Sequence, residues 1–305
     1  MNDYCMVIAP QNLHWVLDRI AHEVGDRLGD DVVYTTEIDS VPEASNYFVT
    51  HYTLLPRILR QVNPAKARIV CLFTHESTPV HDYLAALNLC HAVICENNVE
   101  FDRLTRYGVK TELLHMVPEG GSPERFKPHT RTGEGHILVS SACYARKNPP
   151  LLFEVMRSLP QRHFVLVGKD WYANELPENV EYHDRVAYER YPELYSGCDV
   201  FLSCSKLEGG GPASLIEAMH ANIMPVVSDT GNAREYIVHG YNGFIFPCEA
   251  TGAQVVSLVE RAFRLNPKFI PPYNDVYETI VNYTWDNYAA QVKAAFTGAP
   301  YDSLL

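Results

Sequence analysis

Glu208 opens a run of three glycines, Gly209, Gly210 and Gly211, which passes through Pro212 into a helical pattern carrying a second carboxylate, Glu217. The apolar stretch 198–205 reads as the strand that feeds this turn. Glycine lets a backbone approach a ligand closely, proline suits a first helical turn, and the unpaired N–H groups at a helix start attract phosphate. A carboxylate beside them would repel phosphate, so Glu208 is expected to face hydroxyl groups. Phosphate and polyol side by side describe a sugar nucleotide. A Gly-rich strand-to-helix turn is by itself a common feature; the second glutamate and the sequence downstream make this one more specific.

Such a turn has to be held by a sheet, and short apolar runs alternate with amphipathic stretches along the whole chain, the pattern of parallel α/β units. Residues 4–10 read as a first strand. The helix after it sets Leu13, Val16, Leu17, Ile20, Val24 and Leu28 on one stripe at spacings of three and four. Further strands are expected at 32–35, 47–51, 68–74, 92–95 and 112–116, with helices at 53–62 and 98–107. The Pro- and Gly-rich stretch 118–135 reads as a linker. Beyond it the rhythm restarts at 136–142, 163–169 and 198–205. Two successive α/β units imply two nucleotide-fold domains, 1–130 and 131–305, with ligands outside the carboxyl ends of the strands in the cleft between them.

In the second half Glu217-Ala218-Met219 is followed by Pro225-Val226-Val227 and then by 228–247, SDTGNAREYIVHGYNGFIFP. This region resembles family-four retaining glycosyltransferases (glycosyl transferases group 1), whose motif joins two glutamates seven residues apart to Ala-Met, a Pro-Val strand and a GxNGxxxP strand end. Here eight residues separate the pair. Ser122-Pro123-Glu124-Arg125-Phe126 matches the family's phrase after the first domain, and 283–292 resembles its terminal helix. The resemblance spans roughly residues 68–295. It implies the GT-B fold: two facing Rossmann-like domains, the first on the acceptor side and the second on the sugar-nucleotide side, with about 284–300 packing back on the first.

The resemblance also implies roles. The family holds its diphosphate with an arginine and a lysine five residues apart; Lys147 matches the lysine, Ala142 stands at the arginine position, and Arg146 compensates if its side chain turns into the cleft. Gly168 fits a turn beneath the nucleotide, chiefly for its backbone geometry, with Lys169 a secondary phosphate candidate. Glu217 matches the glutamate that grips ribose hydroxyls, and Glu208 the one that touches the donor sugar. In the first half His75 ends a strand where the family places a histidine near the transferring sugar, suited to bonding a hydroxyl or shuttling a proton. His51 occupies an analogous place on the acceptor side, with His14 and His81 weaker candidates. The family's N-terminal Gly-Gly loop is absent, replaced by Gln11-Asn12-Leu13-His14. The catalytic candidates are thus His75, Glu208 and Lys147.

Composition narrows the partners. At 305 residues and net charge −12, with acids in excess in both halves, the chain lacks the basic footprint of a nucleic-acid binder. A local patch, Arg57, Arg60, Lys66 and Arg68, leaves a peripheral membrane contact open, although a solvated helix face explains it as well. The eight cysteines lie mostly in apolar runs without metal or disulfide spacing. The N-terminal apolar run is too short for a signal-peptide core and no run reaches membrane-span length, so the cytoplasm is the expected compartment. The expected activity is metal- and cofactor-independent transfer of a sugar, with retention, from a nucleoside-diphosphate sugar to a carbohydrate or glycolipid acceptor in bacterial-type glycan synthesis. Two alternatives stay open: a sugar-nucleotide epimerase, and a GT-B protein that binds nucleotide sugar without turning it over.

Overall fold

The computed structural model describes residues 2–171, 176–265 and 276–298. Its strands are β1 (Asn2–Val7), β2 (Val32–Thr35), β3 (Ala44–Val49), β4 (Arg68–Phe73), β5 (Ala92–Cys95), β6 (Leu114–Met116), β7 (His136–Ser140), β8 (Phe164–Gly168), β9 (Val180–Asp184), β10 (Cys198–Ser203), β11 (Met224–Ser228) and β12 (Phe244–Phe246). The longer helices among the described residues are α1 (Val16–Leu28), α2 (Asn98–Tyr107), α3 (Pro149–Ser158), α4 (Ala213–His220), α5 (Gly252–Arg264) and α6 (Trp285–Thr297).

The chain forms two compact units. The first reaches to Gly120 and resumes at Asn282; the second is Gly121–Val281. This division falls ahead of the 130/131 boundary that composition suggested, because most of the Pro/Gly-rich stretch is docked on the second unit. The Asp199 carboxylate accepts hydrogen bonds from the backbone N–H groups of Thr132 (3.0 Å), Gly133 (2.6 Å) and Gly135 (3.0 Å). Phe126 is buried with its ring 5.1 Å from that of Tyr195.

In the first unit a parallel six-stranded sheet runs β2-β1-β3-β4-β5-β6. Apolar side chains of its strands alternate between two cores. On one face Met6, Phe48, Val70 and Ile94 meet Leu17, Ile20, Val24 and Leu28 of α1 and Trp285, Tyr288, Val292 and Phe296 of α6. The C-terminal helix therefore completes the core of the first unit, and its start is capped by the Thr284 hydroxyl, which accepts from the N–H of Asn287 at 3.2 Å. Residues 299–300 of the expected crossing segment lie outside the described residues. α1 begins later than the apolar stripe suggested: His14 takes positive φ (64°), leaving Leu13 outside the helix, and Val16 opens it exposed. The stretch 53–62 forms only short turns, Tyr52–Leu54 and Leu55–Ile58.

The second unit's parallel sheet runs β12-β11-β10-β7-β8-β9. Counted from its own first strand this is the 3-2-1-4-5-6 order of dinucleotide-binding folds, which reverses direction between β7 and β10. β9, Val-Glu-Tyr-His-Asp, is a polar edge strand; its sequence gives no apolar run to detect.

Candidate functional site

The strand-order reversal of the second unit leaves a crevice at the carboxyl ends of β7 and β10, since the connections there diverge to opposite faces of the sheet. The turn after β7 carries Arg146 and Lys147, and the turn after β10 carries Glu208 and the glycines. The structure joins them. The Glu208 carboxylate, buried, is bonded by the Lys147 ammonium, by Arg146 Nη1 at 2.6 Å and by the Ser205 hydroxyl at 2.5 Å. Glu208, expected to face hydroxyl groups, here engages two cations. Arg146 also donates to the Leu207 carbonyl at 3.3 Å, so its half-exposed side chain lies along the Glu208 turn. Burial pulls the Lys147 ammonium below its ordinary pKa, opposed by the attraction of Glu208. With five N–H donors on Arg146 and three on Lys147, both keep donors beyond those given to Glu208.

Pro212 is the N-cap of α4, one position ahead of the first-turn place read from sequence. The Ser214 hydroxyl donates to the Ser140 carbonyl at 3.1 Å, fixing the helix start against the end of β7. Glu217 lies one turn in and is buried; its carboxylate accepts from the Tyr188 hydroxyl at 2.7 Å and the Tyr195 hydroxyl at 3.1 Å. Tyr195 is fully buried, and burial followed by the Glu217 charge raises its phenol well above the ordinary value.

Two glycines of the region are required by geometry. Gly211 has φ 146°, and a Cβ there would lie 1.8 Å from Asn232 Oδ1. Gly168 has φ 150°, and a Cβ there would lie 1.9 Å from the Ser141 carbonyl oxygen. Gly168→Ala is therefore expected to destabilise the fold by roughly 1–3 kcal/mol or more, read as a lowered melting temperature. Lys169 stands 5.7 Å from the ring centroid of Tyr144, which Arg146 approaches at the same distance; Gly209 and Gly210 complete the turn between Glu208 and Gly211.

In the first unit, parallel register sets Val7 beside Val49 and Val49 beside Cys71, so β1 and β3 end level and β4 ends two residues further on. His51 and His75 consequently lie near each other. His51 Nδ1 pairs with Thr53 Oγ1 at 2.7 Å and its Nε2 with Ser77 Oγ at 3.3 Å, while His75 Nδ1 pairs with Thr74 Oγ1 at 2.9 Å. Burial, reinforced by repulsion from His75, pushes His51 down to about 4. His51 is thus neutral at pH 7. As pH falls from about 6.5 to about 4 the unfolded chain takes up a proton that the folded chain refuses, so stability is intact above this window and declines through it. The C2 proton of His51 is expected to titrate by NMR with a midpoint near 4, and His51→Gln should flatten the decline. His14 sits apart on the exposed loop after β1, where its backbone N–H donates to Asp18 at 2.7 Å.

Sequence reasoning missed Ser205, Tyr188 and Tyr195. Ser205 is three residues from Glu208 and could have been found as a local partner. The tyrosines reside in the β9–β10 connection, and nothing in the spacing of AYERYPELYSG announces that they meet a helix beyond the next strand. Among the described residues no cluster of three or more His, Cys, Asp or Glu is placed to hold a metal ion, and no helix is long and apolar enough to cross a membrane.

These two parallel sheets have the GT-B glycosyltransferase fold. Anabaena HepE, crystallised with UDP and glucose, superposes at TM-score 0.77 over 97% of this chain and 100% of its own at 13% identity. Sucrose-phosphate synthase from Thermosynechococcus elongatus does so at 0.77 over 97% and 98%, also at 13% identity. Residues 122–268, most of the second unit, match the family glycosyl transferases group 1. Mannosylfructose-phosphate synthase of Agrobacterium fabrum is 28% identical over 184 residues, 50% of this chain and 40% of that protein; the chain thus spans less than half the length of this relative.

Proposed function

We propose that this protein transfers a sugar from a nucleoside-diphosphate sugar to an acceptor hydroxyl, with retention at the anomeric carbon. The observation that carries the reading is the convergence of Lys147 and Arg146 on Glu208 at the β7/β10 reversal, beside a glycine turn that opens α4. Breaking the glycosidic bond to a diphosphate places negative charge on the leaving phosphate, and preorganised cations and helix-start N–H groups are the groups that stabilise it. HepE was crystallised with UDP and glucose, which agrees with a donor of that class.

In this reading the spare donors of Lys147 and Arg146 meet the diphosphate, with Arg146 supplying the charge that Ala142 cannot. Glu217 binds the ribose hydroxyls, its carboxylate oriented by Tyr188 and Tyr195. Glu208 holds the two cations in place, and it reaches the sugar only if donor phosphate draws them away. The leaving phosphate takes the proton of the acceptor hydroxyl on the face from which it departs, and His51 and His75 serve the acceptor side. Diphosphate neutralisation by these cations supports metal independence, and the nature of the donor supports a role in glycan or glycoconjugate synthesis.

The test is to incubate the protein with UDP-, GDP- and dTDP-hexoses and simple glycoside acceptors. Released nucleoside diphosphate and product anomeric configuration are followed by NMR. Release with retained configuration is expected. A sugar inverted at a ring carbon with no release supports an epimerase, and binding without release or slow hydrolysis supports a binding protein. Glu208→Gln is expected to leave nucleoside-diphosphate affinity within about threefold while lowering transfer roughly 10–100-fold, the cost of a charged hydrogen bond.

A further inference from the structure

A second recess lies in the second unit at β11 and β12, the two strands outboard of β10. It has a volume of about 470 Å³ and is lined by Asp229, Arg234, Ile237, His239, Ile245 and Phe246 among others. That is within the size range of small-molecule sites. Asp229 directly follows β11, and Ile245 and Phe246 belong to β12. None of these residues takes part in the carboxylate–cation cluster described above.

The polar groups of this recess are fixed. Arg234 and Asp229 form a two-pronged pair, Nε to Oδ1 at 2.7 Å and Nη2 to Oδ2 at 2.5 Å. An exposed pair of this kind contributes little to stability, but the fork holds both groups in one plane. The N–H of Ile245 donates to His239 Nδ1 at 3.1 Å. Nδ1 therefore carries the lone pair, and the ring's proton sits on Nε2 as a donor.

The loop that carries His239 is itself pinned. Buried Asn242 accepts from the N–H of Val238 at 2.8 Å and donates to the Tyr236 carbonyl and the Thr279 hydroxyl, each at 2.8 Å. The GxNG motif here builds a rigid wall.

We propose that this recess is a carbohydrate subsite that takes one neutral pyranose unit. Its charges cancel within the Asp229–Arg234 pair, which disfavours a phosphate or other anion. Phe246 is 2% exposed, so its ring offers no stacking face. What remains is a carboxylate acceptor, guanidinium and imidazole donors, and the accessible apolar side chains of Ile245 and Pro247. Donors and an acceptor beside apolar side chains match the hydroxyls and C–H groups of a sugar ring. The subsite is independent of the donor reading; should that reading hold, it would accommodate an outlying residue of a glycan.

The experiment is side-chain NMR of the intact protein, following the His239 ring and the Arg234 Nε–H. The titrants are methyl α-D-glucopyranoside, methyl α-D-galactopyranoside and methyl α-D-mannopyranoside, with sorbitol as the acyclic control. At least one pyranoside is expected to give saturable shifts at both side chains, with a Kd of roughly 1–100 mM. Arg234→Gln and Asp229→Asn should each weaken it at least tenfold while UDP-hexose affinity is unchanged. Arg234 is so exposed that its substitution is not expected to disturb folding. Absence of saturable shifts with all three pyranosides overturns the proposal, as does equal affinity for sorbitol or binding that is undiminished in both variants. Because donor affinity is measured separately, loss of the donor reading leaves this outcome interpretable.

Discussion

Replacing Lys147 by methionine is expected to lower the rate of glycosyl transfer about 10²–10³-fold, the usual cost of removing one preorganised donor from a developing anion. Methionine keeps most of the bulk, which matters because the side chain is largely buried against Glu208. The loss has two candidate origins: a missing partner for the leaving diphosphate, or a carboxylate left with only Arg146 and Ser205. A double-mutant cycle with Glu208→Gln separates them. If Lys147 served only to satisfy Glu208, the double variant would be no less active than Glu208→Gln alone. We expect it to be less active, because the lysine retains donors for the diphosphate; Lys147→Met should lower kcat and kcat/KM in both backgrounds.

Replacing Glu217 by alanine should weaken nucleoside-diphosphate binding roughly 10–100-fold, equivalent to about 1.5–3 kcal/mol for hydrogen bonds to a charged group. The variant also strips Tyr188 and buried Tyr195 of their shared acceptor, so a fall in melting temperature is expected alongside. Glutamine keeps an acceptor for the tyrosines and should restore most of that stability without restoring affinity. The ribose role has its own signature. Wild-type protein should prefer the nucleoside diphosphate over its 2′,3′-dideoxy analogue, and Glu217→Ala should bind the two alike. Persistent discrimination in the variant would place the ribose elsewhere.

Much of the fold was legible because its period is written in local sequence. Strands such as β4 and β10 are apolar runs buried in the sheet, and α1 from Leu17 onward has a clean stripe. Legibility failed where burial does not follow composition. β9 is an edge strand, so polar residues serve it. Leu13 fits a helical period yet lies outside the helix, because the chain turns at His14 before α1 begins, and Val16, which opens α1, stays exposed. The stretch 118–135 looked like a linker, but its loop N–H groups are gathered by Asp199, a residue whose position in space no local pattern reveals.

The candidate site shows the same divide. The glycines, Glu208, Glu217 and Lys147 were visible as types at recognisable spacing. Their pairing was not, because the turns bearing Lys147 and Glu208 are about sixty residues apart and meet only through the β7–β10 neighbour relation. The carboxylate read as a hydroxyl acceptor also pairs with the very cations expected to meet phosphate, a contact no spacing shows.

The central claim, that the Lys147–Glu208–Glu217 region of the second unit receives a sugar nucleotide, is tested most directly by calorimetric titration of the wild type, Lys147→Met and Glu217→Ala with UDP-, GDP- and dTDP-hexoses. At least one donor should bind the wild type with a saturable heat and should bind each folded variant at least tenfold more weakly. A wild type that binds none of the three, or variants that bind as tightly as the parent, would contradict the account.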